Sequence, residues 1–253
     1  MQEIKEHATL FPFSQYERPE SYVSAADQEK HPKKIRVFQK KIEDFILQEG
    51  YPCIAARTSI NSKAFAFGIF DKMDCWRTDG ELAHGLTRYL HEMATKPSNY
   101  LTYIAIFEFD GFQDEKQYET AMWSLLNRLA LLSDKHFPWP EKVSDNPTDA
   151  QFAYSFGGRA FYLVGMHPKS SRKARRFPYT AIAFNLHSQF EALRKKHRYG
   201  RIKQVIRKND LRFSGSINPM LSDFGKGLEA PQYSGRAVSP QWECPFKKEI
   251  ISS

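Results

Sequence analysis

Two histidines stand directly after apolar runs that are typical of buried strands, and either could bind a metal. His167 follows residues 159–166, and His187 follows residues 180–186. Pro168 restricts the backbone at His167 to extended conformations. An imidazole held rigidly at a strand end is a good metal ligand, so His167 is the first candidate. A hydrogen-bonded structural histidine is the alternative.

A cluster of arginines separates the two runs. Arg172, Arg175 and Arg176 lie between them in a cationic loop. Guanidinium groups bind carboxylates or phosphates through paired hydrogen bonds. A metal ligand beside such a loop suits a large anionic cofactor, and heme b fits through one axial imidazole and two propionates. A solvated surface loop is the alternative.

The second histidine shares a strand face with an amide. Asn185 and His187 are two residues apart, so in an extended strand both side chains point the same way. His187 could be the axial ligand, a group on the opposite side of the iron, or a hydrogen-bond partner. Polar residues at strand ends also often face solvent, which leaves a structural role open.

Cys244 is a third candidate ligand, because a thiolate donates electron density to heme iron and favours O–O cleavage. A small buried apolar residue is the alternative interpretation. The sequence has no C-x-x-C, H-E-x-x-H, G-x-S-x-G or G-x-G-x-x-G motif and no Walker phosphate loop. These absences weaken zinc, hydrolase and common nucleotide-binding interpretations.

The basic residues are unevenly distributed along the chain of 253 residues, whose net charge is +8. Fourteen of the 37 Lys and Arg residues lie between positions 167 and 212. They form a solvated surface, a pocket for an anion or a nucleic-acid patch. No aromatic strand pair of the RNA-binding type accompanies them, so nucleic-acid binding is disfavoured. Three cysteines and the lack of a signal peptide or membrane span predict a cytoplasmic protein.

Hydrophobic periodicity predicts alternating helices and strands. Helices are expected over residues 32–48, 81–95, 116–132, 188–197 and 202–208. Strands are expected over residues 53–58, 64–70, 101–109, 159–166 and 180–186, the first two joined as a hairpin. This order predicts an α/β fold, with α+β as the alternative, in which helices flank a mixed sheet.

The chain as a whole, residues 1–253, is predicted to form one domain. Residues 1–31 form an N-terminal arm, residues 32–209 the α/β core, and residues 210–253 an irregular C-terminal wrap. Periodicity fails after Asp210, yet the wrap contains Tyr233, Trp242 and Phe246. Large aromatic residues in a segment without regular structure predict that it packs onto the core.

The C-terminal half resembles the YqcI/YcgG family, which includes heme-dependent guanidine N-hydroxylases. The resemblance lies in several short blocks that occur in order over about 90 residues. These blocks are His167-Pro168 with Ser170, Ser171, Arg172, Arg175 and Arg176; Phe184-Asn185-Leu186-His187 with Gln189-Phe190; Asn218-Pro219 and Asp223; Glu229-Ala230; Gln232-Tyr233-Ser234-Gly235; and Trp242-x-Cys244-Pro245-Phe246. Leu228 departs from the serine that is usual in the family before the Glu-Ala pair, and Pro231 stands before Gln232.

The resemblance implies a heme b enzyme that hydroxylates a guanidino nitrogen of arginine or a similar small molecule with O₂ or peroxide. His187, Asn185 and Glu229 are then the catalytic residues, and a carboxylate at Glu229 or Asp223 anchors the cationic substrate. His167 is the first choice for the iron ligand, ahead of His187 and Cys244.

In this interpretation, the residues that contact the heme are Arg172, Arg175, Arg176, Tyr233 and Cys244. The alternative functions are a heme carrier or sensor without an oxidation cycle and a basic nucleic-acid-binding module. The sequence leaves open the electron donor and whether the chain forms a homo-oligomer, and it predicts no membrane partner.

Overall fold

A computed structural model describes residues 12–195 and 199–248, in which six strands form one mixed sheet in the order β1-β2-β3-β6-β5-β4. The strands are β1 (Val23–Ser24), β2 (Phe65–Phe70), β3 (Thr102–Phe107), β4 (Tyr154–Phe156), β5 (Arg159–Met166) and β6 (Thr180–Leu186). The helices are α1 (Lys33–Leu47), α2 (Ile54–Asn61), α3 (Trp76–Thr95), α4 (Glu115–Asp134), α5 (His187–Lys195) and α6 (Tyr199–Ser214). Short 3₁₀ helices span Ser14–Tyr16, Pro19–Ser21, Ala25–Lys30, Lys173–Arg175 and Ala230–Gln232.

The sheet is mixed because β2 and β3 are parallel and every other neighbouring pair is antiparallel. Helix α3 makes the crossover between the parallel strands, as a βαβ unit requires. A tight hairpin joins β4 to β5 at Gly157 and Gly158, whose φ angles are 59° and 66°. Glycine suits this turn because both positions require a left-handed backbone.

Side-chain alternation divides the strands between two helical layers. On β5, Phe161 and Leu163 face α3 and α4, whereas Val164 and Met166 face the opposite side. We call these two sides the α3/α4 face and the α1/α2 face. The α1/α2 face also carries α5 and α6, which line a cavity together with α2 and residues of β5 and β6.

Most predicted elements are confirmed, and the α/β class with a mixed sheet is correct. Strands β5 and β6 have the predicted bounds, and α1, α3 and α4 fall on the helices expected there. Residues 196 and 197, the end of the predicted helix 188–197, lie outside the described residues. The structure adds β1 and β4, which are too short to show a period, and α6 continues to Ser214.

The predicted hairpin over residues 53–70 is wrong, because residues 54–61 form helix α2. The Cys53 sulfur caps this helix by accepting a hydrogen bond from the Ala56 amide at 3.4 Å. A short apolar run does not distinguish a strand from a half-buried helix, and the alanines at 55 and 56 favour the helix. Strand β2 pairs instead with β1 and β3.

The segment after α6, residues 215–248, packs onto the core, and we call it the C-terminal segment. Tyr233 and Phe246 are buried in the α3/α4 face, with Trp242 partly buried beside them. Residues 249–253 of the predicted wrap and residues 1–11 of the predicted arm lie outside the described part. Among the described residues, no helix is both long and apolar enough to cross a membrane.

Candidate ligand cavity

A cavity of about 300 Å³ lies on the α1/α2 face, between the sheet and helices α2, α5 and α6. Its size is at the lower end of the range of small-molecule pockets. The apolar lining residues include Ile46, Ile104, Val164, Met166, Ala183, Phe190, Ile202, Ile206, Leu221 and Phe224. His187 is the histidine in its lining, and we call it the His187 cavity.

A buried carboxylate holds the imidazole of His187. The Nε2 atom lies 2.9 Å from Glu229 Oε1, and the same oxygen lies 2.6 Å from the hydroxyl of Tyr233. Glu229 and Tyr233 are both buried. Because an ionised carboxylate only accepts hydrogen bonds, Nε2 is the donor toward Glu229. Among the described residues, Nδ1 has no hydrogen-bond partner.

Asn185 and Phe224 complete the surroundings of His187. The Asn185 amide nitrogen donates a hydrogen bond to the carbonyl oxygen of Tyr162 at 3.3 Å. Asn185 and His187 both line the His187 cavity, as their two-residue spacing predicts. The ring of Phe224 meets the imidazole edge to face, with centroids 4.8 Å apart. The imidazole orientation is therefore fixed by one ring contact and one hydrogen bond.

One face of helix α6 lines the His187 cavity and carries both apolar and charged side chains. Ile202, Lys203, Ile206, Arg207 and Asp210 all line it, at the spacing that places residues on one helical face. The apolar members extend the cavity wall, and the polar members give it a charged rim. Sequence periodicity predicts this helix but not the surface against which it packs. The sequence therefore does not reveal that Lys203 and Arg207 line the cavity.

Two ion pairs surround this rim. The Lys203 ammonium binds both carboxylate oxygens of Asp223, at 3.0 and 2.8 Å. The Lys203 hydrogen bond lowers the pKa of Asp223 below its ordinary value. Arg172 donates a hydrogen bond of 2.6 Å to Asp210. Asp223 and Arg172, two of the residues selected from the sequence, are thus already paired.

The other two arginines of the predicted cofactor cluster bind backbone carbonyls. The Arg175 guanidinium is buried and donates to Gly165 O, Gln232 O and Tyr233 O at 3.0–3.1 Å. It thereby joins β5 to the C-terminal segment. Arg176 donates to Ser170 O and Ser171 O and does not line the His187 cavity. Of the five N–H donors of a guanidinium, Arg175 uses three on backbone carbonyls and Arg176 uses two.

His167, the first candidate for the metal ligand, lies on the α3/α4 face and away from the His187 cavity. Its neighbour Met166 lines that cavity, so the next side chain along the strand points to the other side. The imidazole is buried and stacks on Tyr118, with ring centroids 4.4 Å apart. Neither of its nitrogens has a partner among the described residues. Burial lowers the pKa of His167.

Cys244 also lies on the α3/α4 face, packed against the buried aromatic residues of that side. Burial raises the pKa of its thiol to about 12, so the neutral thiol is the stable form. The structure therefore separates the three candidate ligands: His187 lines the His187 cavity, whereas His167 and Cys244 lie across the sheet. Tyr233 also belongs to the α3/α4 face but reaches Glu229 through its hydroxyl.

The His187 cavity has the side-chain types that a heme b group requires, although its volume of about 300 Å³ is smaller than a porphyrin. Such a group needs one axial side chain, an apolar enclosure and cations near its propionates. His187, the apolar lining and the basic rim of α6 supply these three features. Within residues 12–195 and 199–248, no cluster of three or more His, Cys, Asp or Glu side chains could hold a metal ion.

The fold and the His187 cavity define an α/β protein in which helices cover both faces of a mixed sheet and a ligand-sized space lies on one face. The chain belongs to the YqcI/YcgG family, whose model matches residues 38–247. It is 31% identical over 208 residues to the uncharacterized protein YqcI of Bacillus subtilis (strain 168), covering 78% of this chain and 81% of that protein.

The uncharacterized protein YcgG of the same organism is 25% identical over 206 residues, covering 78% of this chain and 80% of that protein. No solved structure matches the chain. The family resemblance drawn from residues 167–246 is thereby confirmed.

Proposed function

We propose that this chain is a heme-dependent N-oxygenase that hydroxylates a guanidino nitrogen of arginine or a similar small molecule. The observation that carries the proposal is the pairing of His187 with the buried carboxylate of Glu229 in the wall of an apolar cavity. Metal-binding histidines commonly donate their other ring N–H to a carboxylate, which fixes the ring and raises its basicity. The family resemblance adds the class of reaction.

Three residues hold the proposed ligand site together. His187 is the iron ligand, and Glu229 keeps its Nε2 protonated and its ring in place. Tyr233 in turn holds the Glu229 carboxylate. This assignment replaces His167 as first choice, because the His167 ring does not reach the His187 cavity. Heme, when bound, supplies the activation of O₂ or peroxide.

The protein's own contribution is to position the substrate and exclude water. Asn185 lies on the same strand face as His187, and its amide oxygen accepts hydrogen bonds, which suits a guanidinium N–H. The apolar lining keeps the reacting nitrogen out of bulk water. With peroxide, an N–H becomes N–OH and one water forms. With O₂, two electrons and two protons from a donor reduce the second oxygen atom to water.

The first test is the visible spectrum of protein reconstituted with hemin. We expect a Soret band and a hemin affinity that falls at least about tenfold in His187→Ala, since a lost ligand bond costs more than the ~1.4 kcal/mol of one decade. His167→Phe is the matched control, because it removes an imidazole while keeping the ring stack on Tyr118. Equal affinity in wild type and His187→Ala would contradict the ligand assignment.

The second test is product formation by the hemin-loaded protein. Arginine, agmatine and guanidine are incubated with peroxide, or with O₂ and a reductant, and mass spectrometry detects a gain of one oxygen atom. Retention of hemin without any hydroxylated product would favour the heme carrier or sensor. A protein that takes up no hemin at all would exclude both functions.

A further inference from the structure

Arg207 differs from Arg172 and Lys203, the two cations of the His187 cavity that pair with carboxylates, because no acid neutralises it directly. It lies on the cavity-facing stripe of α6, and its Nε atom is buried without a hydrogen-bond partner. Among the described residues, no carboxylate lies within ion-pair distance of its guanidinium. A buried N–H without an acceptor is costly, and native structures rarely leave one unmade.

The neighbouring cations are already committed. Arg172 is bound to Asp210, and Lys203 is bound through two contacts to Asp223. Arg175 donates to three backbone carbonyls. Asp223, which is close enough to Arg207 to be influenced by its charge, has both oxygens engaged by Lys203. Arg207 therefore retains hydrogen-bonding capacity that the described fold does not use.

We infer that Arg207 binds a carboxylate group of the molecule that occupies the His187 cavity. A guanidinium presents parallel N–H groups that match the two oxygens of a carboxylate. The inference deepens the proposed function and rests on it for the identity of the ligand. The carboxylate has two sources there, a propionate of heme or the carboxylate of an amino-acid substrate, and both are recognised by the same chemistry.

The test compares Arg207→Gln with Arg201→Gln, which removes the same charge from an exposed position on the same helix. Arg207→Lys keeps the positive charge but loses the parallel N–H groups of the guanidinium. Each variant is titrated with hemin, hemin dimethyl ester, metal-free protoporphyrin IX and its dimethyl ester. The hemin-loaded variants are then titrated with arginine and with agmatine, which lacks the carboxylate. Circular dichroism and melting curves verify folding.

If a propionate is the partner, Arg207→Gln weakens binding of both free acids by about tenfold or more and leaves both esters unchanged. If the substrate carboxylate is the partner, Arg207→Gln binds each of the four porphyrins as tightly as wild type does. Its affinity for arginine then falls about tenfold, while its affinity for agmatine does not change. Arg201→Gln behaves like wild type in both cases, and Arg207→Lys is intermediate.

Two outcomes overturn the inference, and they are distinguishable from failure of the proposed function. Equal effects of Arg207→Gln and Arg201→Gln on every carboxylate ligand overturn it while hemin binding still stands. Failure of wild type to bind any of the carboxylate probes overturns it together with the heme assignment. Binding of metal-free protoporphyrin that depends on Arg207, without a His187-dependent hemin spectrum, supports the inference and removes the iron assignment.

Discussion

The two faces of the sheet have opposite characters. The α3/α4 face is filled by aromatic side chains and closed by Phe246 and Tyr233 from the C-terminal segment. The α1/α2 face is well packed beneath α1 but leaves the His187 cavity beneath α2, α5 and α6. The difference indicates a division of labour, in which one layer supplies stability and the other supplies a binding space.

The two histidines show this division most clearly. Each follows a core strand, yet His167 points into the packed layer and His187 into the open one. His187 is held by a carboxylate, whereas His167 has only a ring stack. The two histidines therefore occupy comparable positions in the sequence but have different surroundings. Side chains alternate between the two faces along each strand, and this alternation decides which layer each histidine enters.

The largest effect is expected from truncating an aromatic residue on the packed face. Phe246→Ala removes a buried ring that touches Trp123, Phe152 and Tyr154, so the free energy of unfolding falls by about 3–5 kcal/mol. Phe224→Ala removes a ring from the cavity wall and lowers stability by less than about 1.5 kcal/mol. Urea unfolding of both variants measures the difference, and similar losses would remove the distinction between the faces.

A second effect concerns the link between β5 and the C-terminal segment. Arg175→Ala leaves Gly165 O and Gln232 O without their donor, and each orphaned acceptor costs about 1–3 kcal/mol. We expect a loss of roughly 2–4 kcal/mol in unfolding free energy. Arg176→Ala, whose carbonyl contacts are partly exposed to water, is the control and loses less than about 1 kcal/mol. If the two arginines are equivalent in thermal and chemical unfolding, Arg175 does not join these segments.

The pH dependence of stability sharpens the comparison further. Burial lowers the pKa of His167 below its ordinary value of 6.5, so the unfolded chain takes up a proton there before the native chain does. This site therefore contributes less stability as the pH falls below about 6.5. In His167→Phe the loss of unfolding free energy between pH 8 and pH 5 is smaller than in wild type. His84, whose pKa burial also lowers, remains in both proteins, so the difference isolates His167.

The smallest effect is expected at Cys244. Its thiol lies on the packed face and stays protonated, so Cys244→Ala leaves the Soret band of the hemin-loaded protein at its wild-type position. The change in unfolding free energy is about 1 kcal/mol. A spectral shift in this variant, with none in His187→Ala, would transfer the iron ligand to the thiolate.

The sequence predicts most of the fold because the central strands are long and strongly apolar. Strand β5 ends before His167, and strand β6 lies between Pro178 and His187, so the polar residues and prolines beside them mark their limits. Helix α2 was mistaken for a strand because eight residues carry too little periodicity. The two-residue strand β1 depends entirely on its pairing with β2, which no local pattern encodes.

The candidate site was predicted in part, and the part that failed has a geometric cause. His187, Asn185 and Glu229 meet around the His187 cavity, although Glu229 is 42 residues from the histidine that it holds. Spacing along the chain does not reveal that Arg175 turns inward to three carbonyls, or that Arg207 faces the cavity. These roles depend on tertiary packing.

The carboxylate that orients His187 comes after all six strands in the chain, and this has a consequence for biosynthesis. Glu229 and Tyr233 reach their positions only when the C-terminal segment docks through Arg175 and through Glu119, which binds Ser234 and Arg236. Domains fold as their residues emerge from the ribosome. All six strands precede Glu229 in the chain, so the sheet can assemble before the residues that complete the ligand site have been synthesised. Copies shortened before Glu229 lack the carboxylate that orients His187, and we expect that they do not compete for the ligand.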